Sequence, residues 1–365
     1  MTTAVLPAPA VDAVDATPET LADLLAAQRA AWLRGAPDYE RRMDALASLA
    51  DAVKAHERDF VDAVSEDFGG RAEEETRVLE LFPILEEIKS ARKHLRKWMR
   101  PRSVRPAWFL LPGTARVMYQ PLGVVGVLGA WNYQLYLSLA PVVGAVAAGN
   151  HVVVKPSEVT PRTAALIARV LAERFPREYV AGVTGGPDVA AAFSALPWDH
   201  LIFTGSTRVG KLVMRAASEH LTPVTLELGG KSPTIVHRDA QLDTAAARIM
   251  TGKLYNAGQT CIAPDYVLVP RDRVDAFVAE ARRATAAMYP RVVENRDYTR
   301  IVTRAHWERL DRLVTEAAAR GARVEAVNPA QERCTAENKV FAPTLVVGAP
   351  DDMALMREEI FGPVL

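Results

Sequence analysis

The sequence predicts an α/β protein built around a parallel sheet with helices on both faces, and three observations carry that prediction. From Gly123 to His220 short strand-like runs alternate with helical ones, the pattern of successive βα units. The stretch from Val117 to Val154 holds no Asp, Glu, Lys or Arg. Gly123, Gly126, Gly129, Asn132, Gln134 and Pro141 nevertheless cut it into pieces too short to span a bilayer, which suit buried strands and a buried helix. A chain of 365 residues with 49% hydrophobic content can bury a large core and has the length of about two domains.

The elements follow in order from periodicity and punctuation. Thr17 before Pro18 reads as an N-cap and first helical position, opening a helix over "ETLADLLAAQRAAWLR". A second helix is expected over "YERRMDALASLADAVKAHERDFVDAVSEDF" and a third, highly charged, over "AEEETRVLELFPILEEIKSARKHLRKWM". "RPRSVRP" breaks the helical pattern. The βα series then runs "GVVGVLG", "LYLSLAPVVGAVAAG", "HVVVK", "RTAALIARVLAERF", "EYVAGVTG", "DVAAAFSAL", "HLIFTG" and "STRVGKLVMRAASEH". From "PVTLELGG" a second series begins, with "SPTIVH", a helix to Tyr255, the strand "DYVLVP", two further helices and "FAPTLVV". Ligands of such sheets bind at the carboxyl ends of the strands.

Charge and cysteine content exclude several functions. Lys plus Arg and Asp plus Glu both total 44, so there is no net field to hold nucleic acid or an anionic membrane, and neither partner is expected. Cys261 and Cys334 are too few for a disulfide framework and lack metal-ligand spacing, so no metal is expected and a reducing, cytoplasmic setting fits. Residues 1–16 lack the features of a secretory signal or transit peptide and read as a loose leader.

Five places can carry chemistry, each with a structural alternative. In "FTGSTRVG" the turn from Gly205 to Gly210 opens a helix whose free N–H groups and Ser206 hydroxyl suit a phosphate, although such turns also occur for structural reasons. Lys155 and Glu158 of "KPSE" follow a buried strand and can bind a ribose; a solvated Lys and a helix-starting Glu are the other reading. Asn132 in "AWNY" sits in the uncharged run, where an amide either pins a turn or points at a ligand oxygen. Glu227 in "TLELGG" is either a desolvated carboxylate suited to general-base work or an edge-strand residue facing water. In "YNAGQTC" Cys261 follows a small, flexible, polar turn, where its sulfur is either an accessible nucleophile near backbone N–H donors or a small buried hydrophobe.

"AWNY", "KPSE", "FTGSTRVG", "LELGGKSP", "GQTC" and "EEIFGPVL", in this order and at these separations, resemble the NAD(P)-dependent aldehyde dehydrogenase superfamily from about the first helix to the last residue. "LTPVTLELGGKSP" is most similar to the class 3 branch, and "PGTARVMYQPLGVVGVLGAWNY" to its bacterial coniferyl aldehyde dehydrogenases. The resemblance implies a Rossmann-like cofactor domain with the N-terminal helices over residues 17–226 and a second α/β catalytic domain over 227–365. It implies that the Cys261 thiolate attacks the aldehyde carbon. Asn132 and the Cys261 N–H would hold the oxyanion, one such donor being worth roughly 3 kcal/mol of barrier. Hydride then passes to the nicotinamide, and Glu227 activates water to release the acid.

Cofactor contacts are implied in the same way. Lys155 and Glu158 match residues on the adenine-side ribose, with Gly185 and Gly186 beside that half. Ser206, between Gly205 and Gly210, matches the pyrophosphate contact; Glu359 and Phe361 match the nicotinamide ribose and ring, and Trp131 joins the set. A carboxylate at Glu158 repels a 2′-phosphate and favours NAD, with NADP also open. Where many relatives carry Pro on both sides of "WNY", this chain has Ala130 and Gln134, which implies a less rigid Asn132 loop. The sequence stops at Leu365 within an apolar strand-like run, where family members continue, so an incomplete catalytic domain is expected. A homodimer is the class 3 expectation for the full-length form. The alternatives are a CoA-acylating relative, which needs no base at Glu227, a non-catalytic relative acting as a binding or structural protein, and a Cys–His thiol hydrolase, for which no histidine motif is present.

Overall fold

The computed structural model describes residues 16–365, and the expected leader lies outside the described residues except for Ala16, whose N–H donates to the Thr184 carbonyl at 2.9 Å. Two compact units emerge: described residues through Phe60 with Val78–Glu227, and Val61–Arg77 with Leu228–Leu365.

The chain opens with α1 (Pro18–Leu33), whose N-terminus is closed by reciprocal bonds between Thr17 and Thr20, as the Thr-Pro signal predicts. The expected second helix is two, α2 (Tyr39–Ala55) and α3 (Glu57–Phe68). His56 breaks it at φ −106°, ψ 17°, its ring bonded to Asp59 at 2.9 Å and Glu173 at 3.0 Å. The expected third helix is also interrupted: α4 (Glu73–Thr76) runs into a π-helical turn, Arg77–Leu81, before α5 (Phe82–Trp98). Pro83 stands one residue into α5, and a ring without an N–H is tolerated at such a start. The segment read as a plain breaker supplies β1 (Arg102–Val104), which pairs antiparallel with β2 (Ala115–Val117) beyond it. Their residues are almost all exposed, so no alternation marks them as strands.

The βα series then forms as predicted: β3 (Val124–Leu128), α6 (Gln134–Ala148), β4 (His151–Lys155), α7 (Pro161–Arg174), β5 (Val180–Gly182), α8 (Pro187–Ser194), β6 (His200–Gly205), α9 (Thr207–Ser218) and β7 (Val224–Leu228). One five-stranded sheet results, in the order β5-β4-β3-β6-β7, with β3 parallel to β4 and β6, and β4 parallel to β5. Every residue of β3 and β4 is buried, which is why both read as unbroken apolar runs. Gly126 in β3 is required by close packing: a Cβ there would stand 2.8 Å from the Trp198 ring. The chain steps outward from β3 to β5 and returns with β6 on the other side of β3, so the sheet's switch point lies between β3 and β6. One expectation is corrected here. "PVTLELGG" supplies β7, the outer strand of this first sheet, and does not begin the second series.

The second unit contains β8 (Pro233–Ile235), α10 (Leu242–Leu254), β9 (Tyr266–Leu268), α11 (Val274–Met288), α12 (Arg304–Ala319), β10 (Arg323–Ala326), β11 (Thr344–Val347) and the short α13 (Ala354–Arg357). β8 and β9 pair in parallel, and β10 and β11 antiparallel. The amphipathic faces of α10 and α11 close over Ile249, Met250, Phe277, Val278 and Leu345. A second core gathers Ala257, Tyr298, Leu310, Val340, Ile360 and Val364. The last residues lie along β11, with Thr344 N–H donating to Pro363 O at 2.9 Å and Val346 N–H to Leu365 O at 2.8 Å. No described helix is long and apolar enough to cross a membrane.

Candidate active site

The predicted site residues divide between the units: Trp131, Asn132, Lys155, Glu158, Gly185, Gly186, Gly205, Ser206, Gly210 and Glu227 in the first, Cys261, Glu359 and Phe361 in the second. Within the first unit, all except Glu227 lie at or just beyond the carboxyl ends of β3, β4, β5 and β6. A βα sheet opens its ligand crevice at these ends.

Asn132 follows β3 and is 3% exposed. Two tethers hold the chain beside it. The wholly buried Glu80, from the π-helical turn, accepts the Leu135 N–H at 2.8 Å and the Tyr136 N–H at 3.4 Å, placing a carboxylate at the positive end of α6. Gln134 is also buried; its amide nitrogen donates to Thr160 O at 3.0 Å and its oxygen accepts from the Thr160 hydroxyl. A paired amide at Gln134 thus restrains the chain beside Asn132 at the position where many relatives carry a proline ring.

Lys155 is buried at 2% exposure and is not the solvated lysine of the structural alternative. Its ammonium donates to Glu158 at 2.9 Å and to Pro156 O at 3.3 Å, so the two "KPSE" side chains form one unit. Ser206 is the N-cap of α9, where its oxygen accepts the Val209 N–H at 3.4 Å. Gly185 takes φ +147° and lies against Val189, so the fold alone calls for a glycine there; Gly186 is the N-cap of α8 in an ordinary extended conformation. Glu227 corrects the desolvation argument. It stands second to last in the outer strand β7 and is exposed, because that strand has a neighbour on one side only.

In the second unit, Cys261 is partly buried just after the helical turn Tyr255–Gly258. That turn is not the flexible one expected. Asn256 and Ala257 both take φ +51° and Gly258 φ +74°, three successive left-handed residues that non-glycine side chains disfavour. Asn256 and Gln259 are fully buried: the Gln259 amide donates to Asn256 O at 2.9 Å and Arg300 O at 3.1 Å and accepts the Val302 N–H at 2.9 Å, while the Asn256 amide donates to Gln259 O at 3.1 Å. A Cβ on Gly258 would stand 2.5 Å from the Gly362 carbonyl carbon, so the nucleophile's turn is seated directly on the "EEIFGP" segment.

That segment is itself pinned. Arg309 donates to Ile360 O at 2.8 Å and to Glu359 O; Lys231 donates to Leu355 O at 2.9 Å and Glu358 O at 3.0 Å and pairs with Asp265. Asp265 in turn accepts the Ile360 N–H at 2.9 Å. Phe361 is left in a left-handed conformation at φ +53°, strain that the surrounding bonds hold in place. The Glu359 carboxylate lies on the two glycines of "LELGG": it accepts the Gly230 N–H, and a Cβ on Gly229 would overlap it. Burial pushes the Glu359 pKa up, helped by Asp265 and opposed by the Gly230 N–H, Arg309 and Lys253. Lys253, 1% exposed, is pulled down to about 8 by burial, with Asp265 and Glu359 opposing.

Sequence reasoning missed Glu80, Lys231, Gln259, Asp265 and Arg309. Lys231 and Gln259 stood inside motifs already singled out, Lys231 just after the glycine pair and Gln259 two residues before the cysteine; nothing local marked the other three. Each unit holds a group of the chemistry a nucleotide needs: in the second, Glu359 Oε1 is buried without a hydrogen-bond partner, an acceptor not yet used, and in the first, Ser206 brings a hydroxyl to a helix N-terminus.

The sequence signature of the Aldehyde dehydrogenase family matches residues 10–365. The chain is 48% identical over 356 residues to the probable coniferyl aldehyde dehydrogenase of Caulobacter vibrioides, covering 96% of this chain and 73% of that protein. It is 46% identical over 334 residues to the coniferyl aldehyde dehydrogenase of Pseudomonas sp. strain HR199, covering 91% and 69%. Among solved structures it is similar to the substrate-bound state of Staphylococcus aureus AldH, with a TM-score of 0.88, 35% identity and coverage of 94% and 74%. It is also similar to Pseudomonas syringae aldehyde dehydrogenase C in complex with NAD+ and octanal, with a TM-score of 0.85, 28% identity and coverage of 96% and 72%.

Proposed function

Because the chain belongs to the aldehyde dehydrogenase family, and so is a nicotinamide-dependent enzyme that oxidises aldehydes to acids, we propose that Cys261 is its nucleophile, Asn132 its oxyanion donor and Glu227 its water-activating base. The observation that carries the reading is the seating of the Cys261 turn on the segment bearing Glu359 and Phe361. A Cβ at Gly258 would close that approach, and Cys261 follows this glycine by three residues, which supports a sulfur near the residues assigned to the nicotinamide end. The Cys261 thiolate adds to the aldehyde carbon, and the Asn132 amide with the Cys261 N–H takes the charge on oxygen. A bound nicotinamide would supply the two-electron acceptor for the hydride that leaves the adduct carbon, with the thioester left on Cys261 as the oxygen loses its charge. Glu227, open to solvent, then removes a proton from water as it attacks the thioester carbon, and the carboxylic acid leaves as the thiol is restored.

Residues 17–226 are assigned to cofactor binding and 227–365 to the covalent chemistry. Lys155 with Glu158, Gly185 with Gly186, and Trp131 line the adenosine half in this reading; Gly205, Ser206 and Gly210 hold the pyrophosphate, and Glu359 and Phe361 the nicotinamide ribose and ring. Glu158, held by Lys155, repels a 2′-phosphate and favours NAD. The substrate class is a cinnamyl-type aromatic aldehyde such as coniferyl aldehyde, supported by the relatives that bear that name. A cytoplasmic homodimer completes the reading, the two free cysteines supporting the compartment. The test is NADH formation with a panel of cinnamyl, benzyl and aliphatic aldehydes, for the parent, Cys261→Ser and Glu227→Gln. Cys261→Ser should abolish the first turnover, whereas Glu227→Gln should keep a burst and lose steady turnover. Equal activity in all three would overturn the assignment.

A further inference from the structure

We propose that Glu75 is a positioning residue for the nucleophile: its carboxylate holds the left-handed turn from which Cys261 projects. The proposal rests on the assignment of Cys261 above, and it concerns a side chain more than 180 positions away in sequence. Glu75 lies in α4, within Val61–Arg77, the stretch that packs with the second unit. Its Oε2 accepts the Asn256 N–H at 3.0 Å and the Thr299 hydroxyl at 3.2 Å, and the buried Arg71 guanidinium stands 3.8 Å away.

The point of attachment gives the bond its leverage. Asn256 is the first of the three left-handed residues, a conformation that relaxes unless neighbouring contacts over-determine it. A fixed, buried acceptor aimed at its N–H does so, and a charged acceptor makes the stronger bond. From Asn256 the restraint passes on directly, because the Asn256 and Gln259 amides each bond the other's backbone carbonyl, and Gln259 stands two residues before Cys261. Gly258, between them, is the residue seated against Gly362. A shift at Asn256 therefore moves the sulfur relative to the Glu359–Phe361 segment.

Burial raises the Glu75 pKa; of the charged and titratable groups around it Arg71 opposes that rise and Asp297 adds to it, and Tyr289 and Tyr298, raised chiefly by their own burial, are raised further by its charge. Thr299 and Asn256 contribute uncharged donors. The carboxylate is thus held by two donors and one cation in the interior, an arrangement that serves a fixed geometry.

The test compares Glu75→Gln, Glu75→Asp and Glu75→Ala by steady-state kinetics and by the rate at which iodoacetamide alkylates Cys261, read by mass spectrometry. Gln keeps an oxygen at the same reach and should retain about one-third of kcat or more. Asp withdraws the acceptor by a methylene and Ala removes it; both should lower kcat by about 30- to 100-fold, with KM for NAD within about threefold of the parent, as small misplacements of reacting atoms do. Cys261 alkylation should change by about tenfold or more in the same two variants and not in Gln. Where Ala fails to fold, the comparison of Gln with Asp decides. Equal kcat and equal Cys261 alkylation for Gln and Asp overturn the proposal. Alkylation does not depend on turnover, so a failure of the nucleophile assignment itself, seen as retained activity in Cys261→Ser, is distinguished from a failure of the positioning role.

Discussion

Replacing Gly229 by alanine isolates what the glycine pair of "LELGG" contributes. The added Cβ would stand 2.5 Å from the Glu359 carboxyl carbon and closer still to its oxygen. Carbon atoms in contact need about 3.5 Å, so the carboxylate must move by about 1 Å or more. The obstructed group is the far end of a flexible side chain, so the fold can yield there without moving backbone. Folding stability should therefore fall by only about 1 kcal/mol, the ordinary cost of a surface or partly buried substitution. The displaced carboxylate, however, loses the Gly230 N–H. A hydrogen bond to a charged group contributes about 1.5–3 kcal/mol, so if Glu359 is the acceptor proposed for the nicotinamide ribose, KM for NAD rises by roughly 10- to 100-fold. The assay is NADH formation at saturating aldehyde with NAD varied, beside thermal unfolding of the same preparation. An unchanged KM for NAD, or a collapse of stability in place of a change in KM, would refute the argument that Gly229 exists to seat Glu359.

Gly258→Ala should behave in the opposite way, because φ is +74° and the obstructing atoms are the Gly362 backbone; a loss of about 2–4 kcal/mol is expected in chemical denaturation. Glu80→Ala removes the acceptor of the Leu135 N–H and should cost about 1–3 kcal/mol of stability. Its kcat should fall further than its KM for NAD rises, since Asn132 precedes that helix start. Lys253 gives a pH signature. Its pKa falls from 10.5 to about 8; at about 1.4 kcal/mol per pH unit this is a cost of about 3 kcal/mol while both folded and unfolded states are protonated. The unfolded chain binds the extra proton between about pH 8 and 10.5, so this lysine makes stability rise with pH through that window, and Lys253→Met should remove the rise and stabilise the protein at pH 7. Thermal unfolding from pH 7 to 10 measures it, and a steeper rise in the variant would contradict the sign.

How far the sequence could be read depended on the range of the interactions involved. The Thr17 cap, the Val-rich strands β3 and β4 and the helices between them are written in residues within one or two turns of each other, so periodicity and punctuation sufficed. The motif residues were legible for the same reason. The break at His56 was not, because it depends on Glu173, and the exposed hairpin of β1 and β2 carries no alternation at all.

By itself, then, the sequence determined the βα architecture and offered the sulfur, amide and carboxylates proposed for the site. Tertiary structure alone decided that β7 closes the first sheet and leaves Glu227 exposed, that Gln134 ties the Asn132 loop to Thr160, and that the turn before Cys261 is rigid. It also decided which buried or partly buried charges hold the backbone next to the candidate residues: Glu75 at Asn256, Glu80 at Leu135, and Lys231 and Asp265 on the segment around Glu359. The physical reason is that a buried charge is stable only with partners, and these partners stand from tens to nearly two hundred positions away, where no local pattern can encode them.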